Sequence, residues 1–167
     1  MIKYLGIMLI FISCVMIGIF RVSKLSNHIS VLQSTINMLG TFQRELNYSQ
    51  PLLYELFYTY TDEVIDDFVL LLSQSVKDCD NLENCVSECM RNSQSLAVLS
   101  KAEKETLEEL LSSLGVSDID SQVSLLSGGI GRFDEFLKAA KIQKEKNSKV
   151  YITFSIYIGL AAAVLLL

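Results

Sequence analysis

The stretch LSNHISVLQSTINMLGTFQRELNYSQPLL, Leu25 to Leu53, decides the fold. Its apolar residues fall at Leu25, Ile29, Leu32, Ile36, Leu39, Phe42 or Gln43, and Leu46, alternating spacings of four and three. That pattern lays one apolar seam along a helix and against a partner. Three heptads make about 35 Å of helix at the usual rise per residue. The run Asn47-Tyr48-Ser49-Gln50-Pro51 ends it. The residue before a proline is pushed out of the α region, and Pro51 suits the first position of a new helix.

Outward from this seam, the hydrophobicity of the 167-residue chain gathers at its two ends. Tyr4 to Phe20 is 17 residues without a charge, and Val150 to Leu167 is 18. Each has the length of a membrane-crossing helix, at the short end of the range. The N-terminal run also resembles a signal peptide, with Lys3 ahead of an apolar core. Ile19-Phe20-Arg21 is a poor cleavage site, however, and the core is longer than a usual signal core, so a retained anchor is the expectation. Residues 1–20 and 150–167 are therefore expected as transmembrane helices around a polar domain at 21–149. One proline, no tryptophan and few β-branched runs argue against sheet.

Charge is sorted along the chain. Glu55 to Asp120 holds fifteen acidic and four basic residues, a net of −11, whereas Arg132 to Lys149 holds six basic and three acidic, a net of +3. Arg21, Lys24, Lys141, Lys144, Lys146 and Lys149 flank the two apolar runs and suit anionic lipid head groups, at about 1 kcal/mol per well-placed cation. The positive-inside rule then places the central domain in the cytoplasm and both chain ends across the membrane. A cytoplasmic domain keeps Cys79, Cys85 and Cys89 reduced. The acidic balance excludes nucleic acid as a natural partner.

Further helices follow in order. Pro51 to Tyr60 reads as a short helix with Leu52, Leu53, Leu56 and Phe57 inward. Thr61 reads as the N-cap of the next, with Asp62 and Glu63 in its first turn and Val64, Ile65, Phe68, Val69, Leu71 and Leu72 as its apolar face. Leu82 to Ala97 carries Cys85, Val86, Cys89, Met90 and Leu96 as a stripe. Ser100 and Glu103 form a capping-box pair for a helix bearing Leu107, Leu110, Leu111 and Leu114, which stops at Gly115. From Ser117 or Asp118 a last helix places Ile119, Val123, Leu126, Ile130, Phe133, Leu137 and Ala140 on one face. Gly128, Gly129 and Gly131 within it mark a kink or a close helix contact. The expected fold is all-α, an antiparallel bundle of about six helices flanked by the two spans.

Several constellations were weighed for chemistry. Asp62, Glu63, Asp66 and Asp67 form carboxylate pairs, but a carboxylate metal site in a bundle needs a Glu-x-x-His partner, and His28 is the one histidine. A solvated acidic face is the expectation there, and a surface or interfacial place for His28. Cys79, Cys85 and Cys89 lack a fourth ligand and the spacing of a zinc site. Gly128 to Gly131 lacks the lysine-serine/threonine signature of a phosphate loop. No catalytic residue, metal, cofactor or small-molecule substrate is expected.

The order of an N-terminal span, a long helix ending in Glu45-Leu46-x-Tyr48-x-x-Pro51-Leu52, then Leu114-Gly115-x-x-Asp118-x-x-x-Gln122, then a lysine-rich helix into a C-terminal span resembles the stage III sporulation protein AB family over the full length. The resemblance implies a mother-cell membrane protein of endospore-forming bacteria, facing the forespore. It implies a part in a secretion-like channel, with a six-helix domain similar to the cytoplasmic domain of type II secretion platform proteins. A hexameric cytoplasmic ATPase is the implied partner. Independently, the first long helix starts at the membrane and the last one returns to it, so the Pro51 and Gly115 ends share the distal tip. Glu45, Tyr48, Pro51, Leu52, Gly115, Asp118 and Gln122 are therefore expected to dock a partner there, although capping alone also accounts for Gly115, Pro51 and Asp118. A non-enzymatic membrane scaffold is the function expected; the alternative is a membrane-anchored signalling protein or thiol redox sensor.

Overall fold

The computed structural model describes residues 2–49, 51–78 and 81–166. Among them there are six α-helices and no strand: α1 (Ile2–Tyr48), α2 (Leu53–Thr59), α3 (Asp66–Ser75), α4 (Leu82–Asn92), α5 (Lys101–Ser112) and α6 (Ile119–Leu166). Short 3-10 turns follow α3 at Val76–Asp78 and α4 at Ser95–Val98. The all-α bundle read from the sequence is thus present. The chain folds as two compact units, Met1–Asn27 with Ala139–Leu167, and His28–Lys138.

The His28–Lys138 unit holds the core. Leu32, Met38, Leu39 and Phe42 of α1 are sealed from solvent together with Phe57, Ile65, Phe68, Leu72, Leu107, Leu111, Leu126 and Phe133. Phe42 is the hub: its ring meets Phe57 edge-on at 5.2 Å and Tyr60 at 6.0 Å. Such pairs contribute about 0.5–1.5 kcal/mol beyond the area they bury. Phe42, not Gln43, therefore continues the seam. The buried arc of α1 is wider than two residues per heptad, since Val31, Ser34, Thr35 and Met38 are also buried. The reason is that α1 meets several neighbours: α2 through Phe42, α5 through His28, and α6 through Gln43. The buried Thr35 hydroxyl donates to the Val31 carbonyl one turn back, at 2.9 Å.

The shorter helices stack in sequence, α3 on α2 and α4, and α4 on α5. Five expectations need correction here. Leu52 faces solvent instead of the core, and the Leu53 side chain lies outside the described residues. The third helix starts at Asp66, not after Thr61. Asp62 folds the chain back before it, its Oδ1 accepting from the Val64 and Ile65 N–H groups at 2.8 and 3.3 Å. A carboxylate that caps a local turn competes with helix, and here it wins. The helix read over Leu82–Ala97 ends at Asn92, although every stripe residue named in it is buried.

The acidic face is the fourth correction, because half of it is structural. Asp67 Oδ2 accepts from the Gln94 N–H at 2.7 Å, the Ser95 N–H at 3.1 Å and the Ser93 hydroxyl at 3.0 Å, which fastens α3 to the turn after α4. Burial works against the charge, but these hydrogen bonds outweigh it and hold the Asp67 carboxyl below its ordinary range. Asp62 is held low in the same way, with burial opposing and the hydrogen bonds from Val64 and Ile65 among those prevailing. Burial, then the neighbouring Asp62 charge, pushes the Tyr60 hydroxyl up.

His28 is not a surface residue either. Its Nε2 donates to Glu103 Oε2 at 2.9 Å, and Glu103 is only 5 % exposed. The same oxygen accepts the Ser100 N–H at 2.6 Å while the Ser100 hydroxyl accepts the Glu103 N–H at 3.4 Å. The capping box read from the sequence is present, and its glutamate additionally binds α1 to the start of α5.

In the glycine cluster, α6 runs unbroken. A Cβ at Gly129 would lie 2.5 Å from Leu110 Cδ1, whereas Gly128 and Gly131 face open space. Of the two alternatives, close contact holds, and at Gly129 alone. The unit Met1–Asn27 with Ala139–Leu167 is tied by Lys144 Nζ donating to the Ser26 hydroxyl at 3.0 Å. Among the described residues no helix is long and apolar enough to cross a membrane. Many side chains of 4–20 and 150–167, with Cys14, fall outside those described, as does Cys79.

Two outcomes follow. Gly128→Ala and Gly131→Ala each stabilise by up to about 1 kcal/mol, while Gly129→Val destabilises by about 1–3 kcal/mol through overpacking on Leu110; denaturant unfolding reads all three. Asp67 has a depressed folded value, so its contribution is complete above the ordinary carboxylate range and is lost as pH falls through the folded value. Asp67→Ala therefore costs about 1–2 kcal/mol at neutral pH, and the gap to wild type narrows in unfolding curves taken at about pH 3.

Candidate docking site

One end of the His28–Lys138 unit is built by the end of α1 and the turn between α5 and α6. Helix α5 runs from its Glu103–His28 contact to Ser112, and α6 starts after a tight turn. The Gln43 side-chain amide donates to the Val123 carbonyl at 3.4 Å, which joins the last turns of α1 to the first turn of α6. The Tyr48 end of α1 and the Gly115–Asp118 turn thus lie at the same end of this unit, as the sequence geometry implied.

The turn itself is self-contained. Gly115 has φ 80°, a left-handed conformation that side-chain-bearing residues rarely adopt. Its N–H donates to Gln122 Oε1 at 3.0 Å, and Gln122 Nε2 donates to the Ser117 carbonyl at 2.6 Å. Gln122 is buried, so its amide closes the loop from inside. Asp118 caps α6: Oδ2 accepts the Ser121 N–H at 3.1 Å and Oδ1 the Ser121 hydroxyl at 2.7 Å. These bonds, led by the Ser121 hydroxyl, hold the Asp118 carboxyl below its ordinary range.

Of the residues expected to dock a partner, Gly115, Asp118 and Gln122 are brought into one hydrogen-bonded turn. Among the described residues no hydrogen bond links that turn to Glu45, Tyr48 or Pro51. Glu45 and Pro51 are partly exposed. The Glu45 carbonyl accepts the Ser49 N–H at 2.9 Å and so carries α1 to its end. Tyr48 is 89 % exposed and Leu52 63 % exposed; the Leu52 N–H is held by Glu55 Oε2 at 3.2 Å. One further residue that was not singled out from the sequence is Val116, 82 % exposed in the turn. The signal for it was an apolar residue between a C′ glycine and an N-cap aspartate, where no helix face can bury it.

The basic residues near the apolar runs are all at least partly exposed. Arg21, Lys24, Lys141, Lys146 and Lys149 are exposed, and Lys144 is partly so. Lys24 also lies 5.1 Å over the Phe20 ring. Among the described residues no group of three or more His, Cys, Asp or Glu could hold a metal ion. Cys85 and Cys89 are 6 % and 3 % exposed, inside the core face of α4.

Among the described residues the fold is an all-helical bundle with no strand. The chain belongs to the stage III sporulation protein AB family, whose model matches residues 3–167, and its role is therefore in sporulation. Comparison with curated proteins and with solved structures gave no match.

Gln122→Ala strands the Gly115 N–H and the Ser117 carbonyl, and is expected to cost about 1–3 kcal/mol. Tyr48→Ser and Val116→Ser, at exposed positions, stay within about 0.5 kcal/mol of wild type. Unfolding midpoints in denaturant separate the two kinds of tip residue.

Proposed function

We propose that this chain is a non-enzymatic membrane scaffold of a secretion-like complex that acts during endospore formation. Its two apolar ends anchor it in the mother-cell membrane facing the forespore, and its bundle docks cytoplasmic partners, a hexameric ATPase among them. Family membership supports the setting. The anchoring is supported by the apolar sequence at 4–20 and 150–167 and by what the described side chains there do. Ile12, Met16, Ile17, Ile19 and Phe20 on α1, and Val150, Phe154, Tyr157 and Ile158 on α6, all stand exposed. Large apolar side chains exposed in such number need a non-aqueous neighbour. Exposed cations beside both runs agree with a cytoplasmic bundle.

The observation that carries docking is the tip. Tyr48, Leu52 and Val116, at 89 %, 63 % and 82 % exposed, are turned outward at the end of α1 and in the Gly115–Asp118 turn, and of the unit's other exposed apolar residues only Tyr58 and Leu70 exceed half exposure. Tyrosine with aliphatic neighbours is the composition of an interface anchor. The acids and amides around it serve as caps, so apolar contact supplies the affinity and Glu45 the charge at its edge. A thiol redox sensor has less support, since a sensor cysteine must be reachable and Cys85 and Cys89 are not.

The test is a combined Tyr48→Ser, Leu52→Ser, Val116→Ser variant in sporulating cells. It is expected to fold and to fractionate with membranes as wild type does, while losing co-purification with the complex's ATPase and with it most of the spore yield. Unchanged assembly and spore yield would set the tip aside as the docking surface.

A further inference from the structure

A cleft of about 260 Å³ opens between α4 and α5, away from the tip residues. Ser87, Met90 and Arg91 come from α4, Ala97 from the turn after it, and Lys104 and Glu108 from α5. Seven lysines and arginines lie in His28–Lys138. Lys101, Arg132 and Lys138 pair with Glu105, Glu109 and Asp134, at 3.6, 3.8 and 2.6 Å. Arg44 donates to the Thr41 hydroxyl and Lys77 lies over the Tyr58 ring. The remaining two, Arg91 and Lys104, both line this cleft, and among the described residues neither has a carboxylate partner. Lys104 does not close on Glu108 one turn along, although that spacing allows it. In a region with a net charge of −11, two cations that pair with no carboxylate, against the single Glu108, leave the walls of this cleft with a net charge of +1 within a negative field.

We infer that this cleft docks one carboxylate of a protein partner, seated between Arg91 and Lys104, with a cation of the same partner segment meeting Glu108. Three properties select that occupant. The volume falls below the usual range of about 300–1,000 Å³ for small-molecule sites and suits one or two inserted side chains. The surrounding acids repel a polyanion, which excludes nucleic acid and disfavours polyphosphates. Met90 and Ala97 give the cleft an apolar wall for the stem of a glutamate, while the Ser87 hydroxyl adds a donor at the cleft wall. The partner segment therefore carries an acid and a base about one helical turn apart, the mirror of Lys104 and Glu108. This surface is separate from the tip and stands or falls without it.

The test uses the full chain in detergent micelles at low salt, where surface charges are least screened. The probe is a capped, alanine-rich helical peptide of about 15 residues carrying one glutamate and, one turn on, one lysine. Magnetic resonance follows the Arg91 side-chain N–H and the backbone amides of Ser87 and Ala97. The expected result is a saturable shift confined to the cleft. Affinity is expected to fall at least about tenfold when the peptide glutamate becomes glutamine, and equally in Arg91→Gln with Lys104→Gln. The peptide arm leaves the protein unaltered, so a folding defect in the double variant does not obscure the answer. Absence of a saturable shift, equal binding of the glutamine peptide, or tighter binding of inorganic phosphate than of the peptide would each overturn the proposal.

Discussion

Helix ends are the constraint on which this structure depends. Each end leaves backbone N–H or carbonyl groups unmatched, and a bundle of short helices multiplies them while burying several. The His28–Lys138 unit meets that demand with side chains. Glu103 and Ser100 close the start of α5, Asn81 the start of α4, Asp118 the start of α6, and Gln122 the turn before it. Asp67 closes the turn after α4 from a different helix. Glu103 does more than cap, because its carboxylate also takes the His28 ring and so fixes α5 to α1.

Function follows from what is left. With so many carboxylates, amides and hydroxyls engaged in closing turns, the apolar side chains that face outward stand out against the surface. In one unit they include Tyr48, Leu52 and Val116, with Tyr58 and Leu70 elsewhere on its surface, and in the other they run along α1 and α6. Membership of the stage III sporulation protein AB family gives those surfaces a setting in sporulation, and the scaffold proposal assigns lipid to the long apolar helices and protein to the tip.

Much of this was legible in the sequence, and the failures share one cause. The helix seams, the Ser100–Glu103 box, the Gly115 stop and the Leu107 to Leu114 face come from local periodicity and capping chemistry, which residue order specifies directly. The common end of α1 and the Gly115 turn followed from chain geometry. Asp62, Asp67 and His28 were misassigned, and the turn-closing bonds of Gln122 were missed, because their partners lie 2 to 75 residues away in directions no periodicity encodes. Asp67 looked like one more charge on a solvated face until Ser93, Gln94 and Ser95 arrived from the following helix. Leu52 was read both inward and at the tip, and Val116 was missed, for the opposite reason: apolar residues are assigned inward by default, and only the fold shows how exposed they are.

The central claim is that two apolar ends hold this bundle on the inner side of a bilayer with the tip in the cytoplasm. A single cysteine at Tyr48, in a chain whose own cysteines are serine, tests it most directly by maleimide labelling. The account predicts labelling of intact cells by a membrane-permeant reagent, none by an impermeant one until the cells are opened, and retention of the chain in membranes after alkaline carbonate washing. Labelling of intact cells by the impermeant reagent, or release of the chain by carbonate, would contradict it.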